Sequence, residues 1–414
     1  MIRILEYKEA ESVLRRRAGR LSEAERVVAP ILDDVRERGD KAVLAYARRF
    51  DGLEANGVKV SAKEMERASG EISPQFRKAL RKASRNIRDF ARMQLPRGRM
   101  FRLADGQQVG QIVRPLDAMA AYIPSGRYPL PSTLLMTVIP AQVAGVPRIS
   151  VASPRPSVEI LGTARYLNAN EVYRMGGAHA IAAFAFGTET IPKVDRIAGP
   201  GNIYVTAAKK LLAGEVGIDF VAGPTEILII AAEGDPRVLA ADMLAQAEHD
   251  EEASAILATT SRRLAKAVAG EIERQLKDLP TAPTARAAVE RNSAIVVVPT
   301  LEKAIDFSNR FAPEHLSIPS SSLLKRIANA GSVFIGPNSP EAAGDYASGP
   351  NHVLPTSGFA RVRGGLSAAD FVKVISVQKL SAQALKSLAP AITTLARAEG
   401  LEAHARSVEA RTRG

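Results

Sequence analysis

Residues 117–152 read DAMAAYIPSGRYPLPSTLLMTVIPAQVAGVPRISVA. The apolar run Ala118–Ile123 is followed by a proline-opened stretch that predicts a helix near 132–144, and then by a second run, Ile149–Ala152. Short apolar runs alternating with helix-length stretches are the mark of parallel βαβ units, because a parallel strand pair needs a crossover between its members. The rhythm continues through Val172–Met175 and Arg196–Ala198, with helices near 156–168, 177–186 and 202–213. A second set reads Glu226–Ala231, Ala255–Ala258, Ala294–Val298, Leu316–Ile318 and Val333–Ile335, with helices near 236–248, 261–277, 301–311 and 321–330. The expected fold class is therefore α/β, with two tandem Rossmann-like, doubly wound domains joined around Ala222-Gly223-Pro224.

Outside this core the pattern changes. The first hundred residues read as charged helices: Ser22 with Glu25, Ser61 with Glu64, and Ser73 before Pro74 are helix-opening signals, and Gly39-Asp40 and Asp51-Gly52 are stops. Segment 99–115 alternates like a strand pair turned at Asp105-Gly106, and the last forty residues read as helix broken near Leu388-Ala389-Pro390. The expected divisions are a helical N-terminal segment, 1–115, packed on the second α/β domain; α/β domains at 116–222 and 223–362; and a helical C-terminal tail, 363–414.

Composition narrows the function. With 46% hydrophobic residues in 414, the chain can bury proper cores, and no apolar stretch reaches the roughly 18 residues of a bilayer span. The N-terminus lacks a secretory pattern, so a cytoplasmic address and no membrane partner are expected. The absence of cysteine removes disulfides, thiolate metal sites and the thiol by which many enzymes oxidise aldehydes through a thioester. The net charge of +12, with clusters such as Arg15-Arg16-Arg17, raises nucleic acid as a partner, but acids interleave and aromatics are only 5%, so a solvated basic surface is expected instead.

Chemistry concentrates in a few places. Gly176-Gly177 and Gly199-Pro200-Gly201 each precede a helix, where bare backbone N–H groups hold anions, although no G-x-G-x-x-G fingerprint is present. Of five histidines, His249 follows Gln246 at i+3 on an expected helix face, His352 shares a glycine-rich loop with Asp345, and His404 lies five residues after Glu399. An amide oxygen, a carboxylate and two imidazoles suit a zinc ion with positions left open. Glu314-His315, after Pro313, is the acid/base pair by composition, with extended backbone expected before it.

Taken in order, these segments resemble histidinol dehydrogenases over nearly the whole chain. The resemblance is carried by 122–136 (YIPSGRYPLPSTLLM), 176–202 ending in GPGN, 222–226 (AGPTE), 246–249 (QAEH), 312–315 (APEH), 344–355 (GDYASGPNHVLP) and 399–404 (EGLEAH). It implies zinc on Gln246, His249, Asp345 and His404, with NAD near Tyr122 and Asn202. It implies Glu314 and His315 as the acid/base pair, and substrate on Thr225, Gln246, His249, His315, Asp345, His352, Glu399 and His404. The reaction implied is the four-electron oxidation of L-histidinol to L-histidine through L-histidinal, the last step of histidine biosynthesis, in a homodimer whose C-terminal tail completes the partner's site. Two positions depart from the pattern: His179 stands where glutamine is common and would donate to NAD, and Thr225 where serine is common. They keep open a sister zinc and NAD dehydrogenase acting on another polar alcohol, beside a non-catalytic basic binding protein.

Overall fold

The structure is a computed structural model that describes residues 1–14, 21–125, 129–412. The Arg15-Arg16-Arg17 cluster and the Gly126-Arg127-Tyr128 part of the 122–136 motif lie outside the described residues. Two parallel sheets form the body. The first has five strands in the order Glu171–Tyr173, Arg148–Ala152, Ala118–Tyr122, Arg196–Ala198, Gly217–Ile218. The second has six: Arg3–Glu6, Ala294–Val297, Ser254–Thr259, Glu226–Ile230, His315–Ile318, Ser332–Ile335. Apart from the edge strand Arg3–Glu6 of the second sheet, in each the chain starts at a central strand, steps outward to one side, and returns to extend the other.

Side-chain alternation explains why both sheets are covered on both faces. Ala118, Ala120 and Tyr122 enter one core with helices Leu21–Arg38, Asp40–Asp51, Gly177–Phe186 and Ile203–Leu212, whereas Met119, Ala121 and Ile123 enter the opposite core. In the second sheet Ile227 and Ile229 face one side, Leu228 and Ile230 the other. A strand apolar at every position buries on both faces, which is why these runs do not alternate with polar residues.

Several expectations are corrected. The N-terminal helices pack on the first sheet, not the second: Leu21–Arg38 lies against Gly177–Phe186 and Ile203–Leu212, Ala62–Glu71 against Val158–Tyr166, and Pro74–Gln94 against Pro131–Ala144. Only the first few residues join the second sheet, where Arg3–Glu6 adds an edge strand. The tail is not wholly helical. Val372–Lys379 pairs antiparallel with Gln108–Pro115, which also pairs with Arg99–Arg102, giving a third, small sheet. Helix Ala382–Ala398 runs through Pro390 unbroken, since a proline there removes one N–H from a segment otherwise rich in alanine and leucine. The stretch expected as a helix near 321–330 is a short 3-10 turn, Ser321–Arg326. Helix Ala282–Arg291 was not anticipated. The caps Ser61 and Ser73 accept from Glu64 and Phe76 N–H as expected, whereas Ser22 lies inside its helix.

One buried ion pair fixes the turn after strand Arg196–Ala198. Lys209 Nζ reaches Asp219 Oδ1 and the Gly199 carbonyl, both at 2.6 Å, while Asp219 Oδ2 accepts the Gly199 N–H at 2.8 Å. Gly199 has φ +125°, and a Cβ there would meet the Tyr122 carbonyl oxygen at 2.1 Å, so only glycine brings this turn onto the neighbouring strand. Lys209→Met strands a buried carboxylate, and chemical denaturation is expected to show a loss of about 3–5 kcal/mol, partly recovered by adding Asp219→Asn, which removes the charge and keeps an oxygen for the Gly199 N–H.

Candidate active site and metal centre

Sheet register sets the centre of the site. His315 opens its strand between Ile227 and Ser332 of the flanking strands, at their amino ends, and Thr225 and Glu226 sit at the entrance to the central strand beside it. The backbone ahead of the pair is not extended: Ala312 caps helix Leu301–Phe311 in a left-handed conformation, φ 51°, and so redirects the chain inward. Glu314 and His315 are buried rather than a solvated corner. Glu314 Oε2 accepts from the Glu226 N–H at 2.9 Å and stands 2.5 Å from the Thr225 hydroxyl.

Three carboxylates surround the His315 ring. Nδ1 lies 3.3 Å from the Glu226 carbonyl oxygen, 3.5 Å from Glu341 and 3.7 Å from Glu314; Nε2 is 3.6 Å from Asp345 and has no hydrogen-bond partner. Burial opposes a charged ring here, but Glu341, Glu314 and Asp345 together outweigh it and push His315 up to about 10. Burial raises Glu314, and raises Glu341 to about 8. Asp345 is also desolvated, yet the His315 ring holds it below the usual carboxylate range.

His249, Glu341 and Asp345 present ligand atoms that all lie within 4.8 Å of one another. Such a nitrogen-and-oxygen set fits a divalent cation, and the orphaned His315 Nε2 points to Asp345 from the protein side. Gln246 is fully buried at the end of helix Pro236–Ala247, hydrogen-bonded to Thr225 at 2.7 Å. That helix ends before His249, which is carried into place by the following turn instead of the shared helix face expected; it is half exposed, 3.9 Å from Asp345. Glu341 was missed. Its signal was the i, i+4 spacing with Asp345, which places two carboxylates on one face of Glu341–Tyr346.

His352 closes the gap between the two sheets. Its Nδ1 lies 2.8 Å from the Asp345 carbonyl oxygen and its Nε2 3.2 Å from Thr133 Oγ1, at the start of helix Pro131–Ala144 in the first domain. Burial lowers its pKa, so the neutral ring donates from Nδ1 and accepts at Nε2. The carboxyl ends of the first sheet thereby face the amino ends of the second.

On the first-sheet side, the Tyr122 hydroxyl accepts the Gly177 N–H at 3.1 Å, and Asn202 caps helix Ile203–Leu212 by accepting from the Tyr204 and Val205 N–H groups. His179 does not have the nucleotide-facing position expected of it. It is 1% exposed, with Nε2 2.9 Å from Asp51 Oδ2, which also accepts the Gly176 N–H. Its ring supports the glycine turn from beneath, against Tyr46. Glu399 and His404 are exposed on the terminal helix pair, and among the described residues no hydrogen bond or ion pair joins either to this pocket within the chain.

The histidinol dehydrogenase family model matches residues 14–412. The chain belongs to the histidinol dehydrogenase family. Histidinol dehydrogenases of Methanothermobacter thermautotrophicus and Geobacillus kaustophilus are each 48% identical to it, over 93% and 94% of both chains respectively. The crystal structure of histidinol dehydrogenase from Elizabethkingia anophelis superimposes with a TM-score of 0.95 at 36% identity, covering 100% of this chain and 99% of that one. Membership extends across both sheets, the small antiparallel sheet and the terminal helices alike.

Asp242, four residues before Gln246, is raised to about 6 by burial. Its folded pKa lies above the ordinary carboxylate value, so its contribution favours the fold at low pH and is lost as pH rises through about 6. Metal-free Asp242→Asn should therefore melt higher than the unaltered protein near pH 8, gain about half as much near pH 5 and little near pH 4; equal gains at all three would contradict the assignment.

Proposed function

We propose that this chain oxidises L-histidinol to L-histidine through L-histidinal, with zinc and two NAD per turnover, in the last step of histidine biosynthesis in the cytoplasm. The observation that carries the reading is the buried Glu314–His315 pair beside His249 and Asp345, in a chain that holds no cysteine. Gln246, His249 and Asp345 would hold the zinc, with His404 supplied by a second copy. Exposed Val374, Ile375, Met100 and Phe101 on the small sheet, and Leu395 on the tail, support a homodimer in which that tail crosses over. Among the described residues no helix is long and apolar enough to cross a membrane.

The strand orders support two Rossmann-like, doubly wound domains, with NAD at the carboxyl ends of the first sheet where strands Ala118–Tyr122 and Arg196–Ala198 part. The Gly176-Gly177 and Gly199-Pro200-Gly201 turns lie there beside Tyr122 and Asn202, although the Gly176, Gly177 and Gly199 N–H groups expected to be bare are taken by Asp51, Tyr122 and Asp219. When bound, zinc would hold substrate nitrogens and neutralise the surrounding carboxylates, and NAD would accept the hydrides. His315 then takes the alcohol proton while Thr225, His352 and a second copy's Glu399 hold the amino alcohol. The aldehyde must be oxidised without a thiol, so water adds to it. Glu314, raised by burial above the ordinary carboxylate range and so made a stronger base, takes that water's proton. Thr225 retains a hydroxyl bonded to Glu314, and His179 is spent on Asp51, so neither departure alters the pocket in favour of another alcohol.

With limiting L-histidinol, two NADH per substrate are expected; no turnover, or one NADH with aldehyde accumulating, would contradict the proposal. Glu314→Gln should slow aldehyde oxidation by about 10²–10⁴-fold and alcohol oxidation much less, and equal losses in both would remove its water-activating role.

A further inference from the structure

Gln246 poses a problem that its own chemistry does not solve. An amide offers an oxygen that can bind a metal and a nitrogen that cannot, nearly identical in shape. Its neighbours decide the orientation. With nitrogen toward Glu341, both carboxylate oxygens accept from it, Oε2 at 3.1 Å, and the amide oxygen lies 2.7 Å from the Thr225 hydroxyl oxygen. Against Glu341 ionised, as it is beside a bound cation, the reverse orientation sets amide oxygen against carboxylate oxygen. Glu341 is itself buried and fixed in the first turn of its helix, so it cannot swing out to solvent.

We propose that Glu341 is a positioning residue of the metal centre: its carboxylate consumes the Gln246 amide nitrogen and so leaves only the oxygen as a ligand. Carboxylates in the outer shell orient metal-bound histidines in the same way. This inference rests on Gln246, His249 and Asp345 being metal ligands. The rival role, Glu341 as a ligand itself, arises because it lies within reach of His249 and Asp345.

The test is zinc affinity by competition with a chromophoric chelator, with cobalt(II) absorption spectra as the coordination readout. Glu341→Gln lets two amides pair either way round, and Gln246→Glu sets carboxylate against carboxylate; each is expected to weaken zinc binding about 10–100-fold. The double variant Gln246→Glu/Glu341→Gln restores an N–H-to-carboxylate pair with the partners exchanged. It should recover affinity to within about tenfold of the unaltered protein, with a matching cobalt spectrum, because the two sites are coupled. Additive losses or an unaffected Glu341→Gln would each overturn the positioning role. Gln246→Ala and His249→Ala test the parent reading separately. If both keep full zinc affinity, the metal site is wrong; if both lose zinc while Glu341→Gln does not, only the role of Glu341 fails.

Discussion

Burying Glu314, Glu341 and Asp345 around a single imidazole is the constraint on which the site depends. Each carboxylate taken from water costs several kcal/mol unless paired, and one His315 cannot pair three. The shortfall shows in the acids themselves, two of which are driven upward in pKa by burial. A bound cation would let these buried acids ionise, and His249 gives that cation a nitrogen ligand at the pocket's open side. The same crowding of acids explains why the donors are so fully engaged: the Glu226 N–H and the Gln246 amide both turn toward carboxylates.

Location matters as much as charge. In open parallel sheets the ligand crevice lies beyond the carboxyl ends of the strands, and the glycine turns of the first sheet obey that rule. The second sheet is used in reverse, with Glu314, His315 and Thr225 at its amino ends. The His352 ring, bonded on one side to Thr133 and on the other to Asp345, ties the two edges together. Groups held by one domain and groups held by the other can meet only in such a seam.

The sheet strands are readable in the sequence because runs such as Ala118–Ile123 bury on both faces, and composition alone separates them from the charged helices before them. What the sequence conceals is what depends on distant partners. Val372–Lys379 is rich in β-branched residues, a strand signal that the helical reading of the tail passes over because its partner Gln108–Pro115 is far away in the chain, and an amphipathic N-terminal helix does not say which sheet it covers. His179 looks like a cofactor contact because Asp51, its partner, is 128 residues away. Glu341 hides as an ordinary first-turn acid of a short helix. Glu314, His315, Asp345 and Gln246 are found because they lie in ordered motifs, whereas His404 needs a second chain before its place can be judged.

Anomalous diffraction at the zinc absorption edge, from crystals of the zinc-loaded protein, would test this picture directly. The predicted result is one peak per chain at about 2.0–2.2 Å from a His249 nitrogen, an Asp345 oxygen and the Gln246 oxygen, with His404 of a neighbouring copy as the remaining protein ligand. A peak elsewhere, or a zinc-free pocket with Asp345 and His249 turned apart, would contradict it.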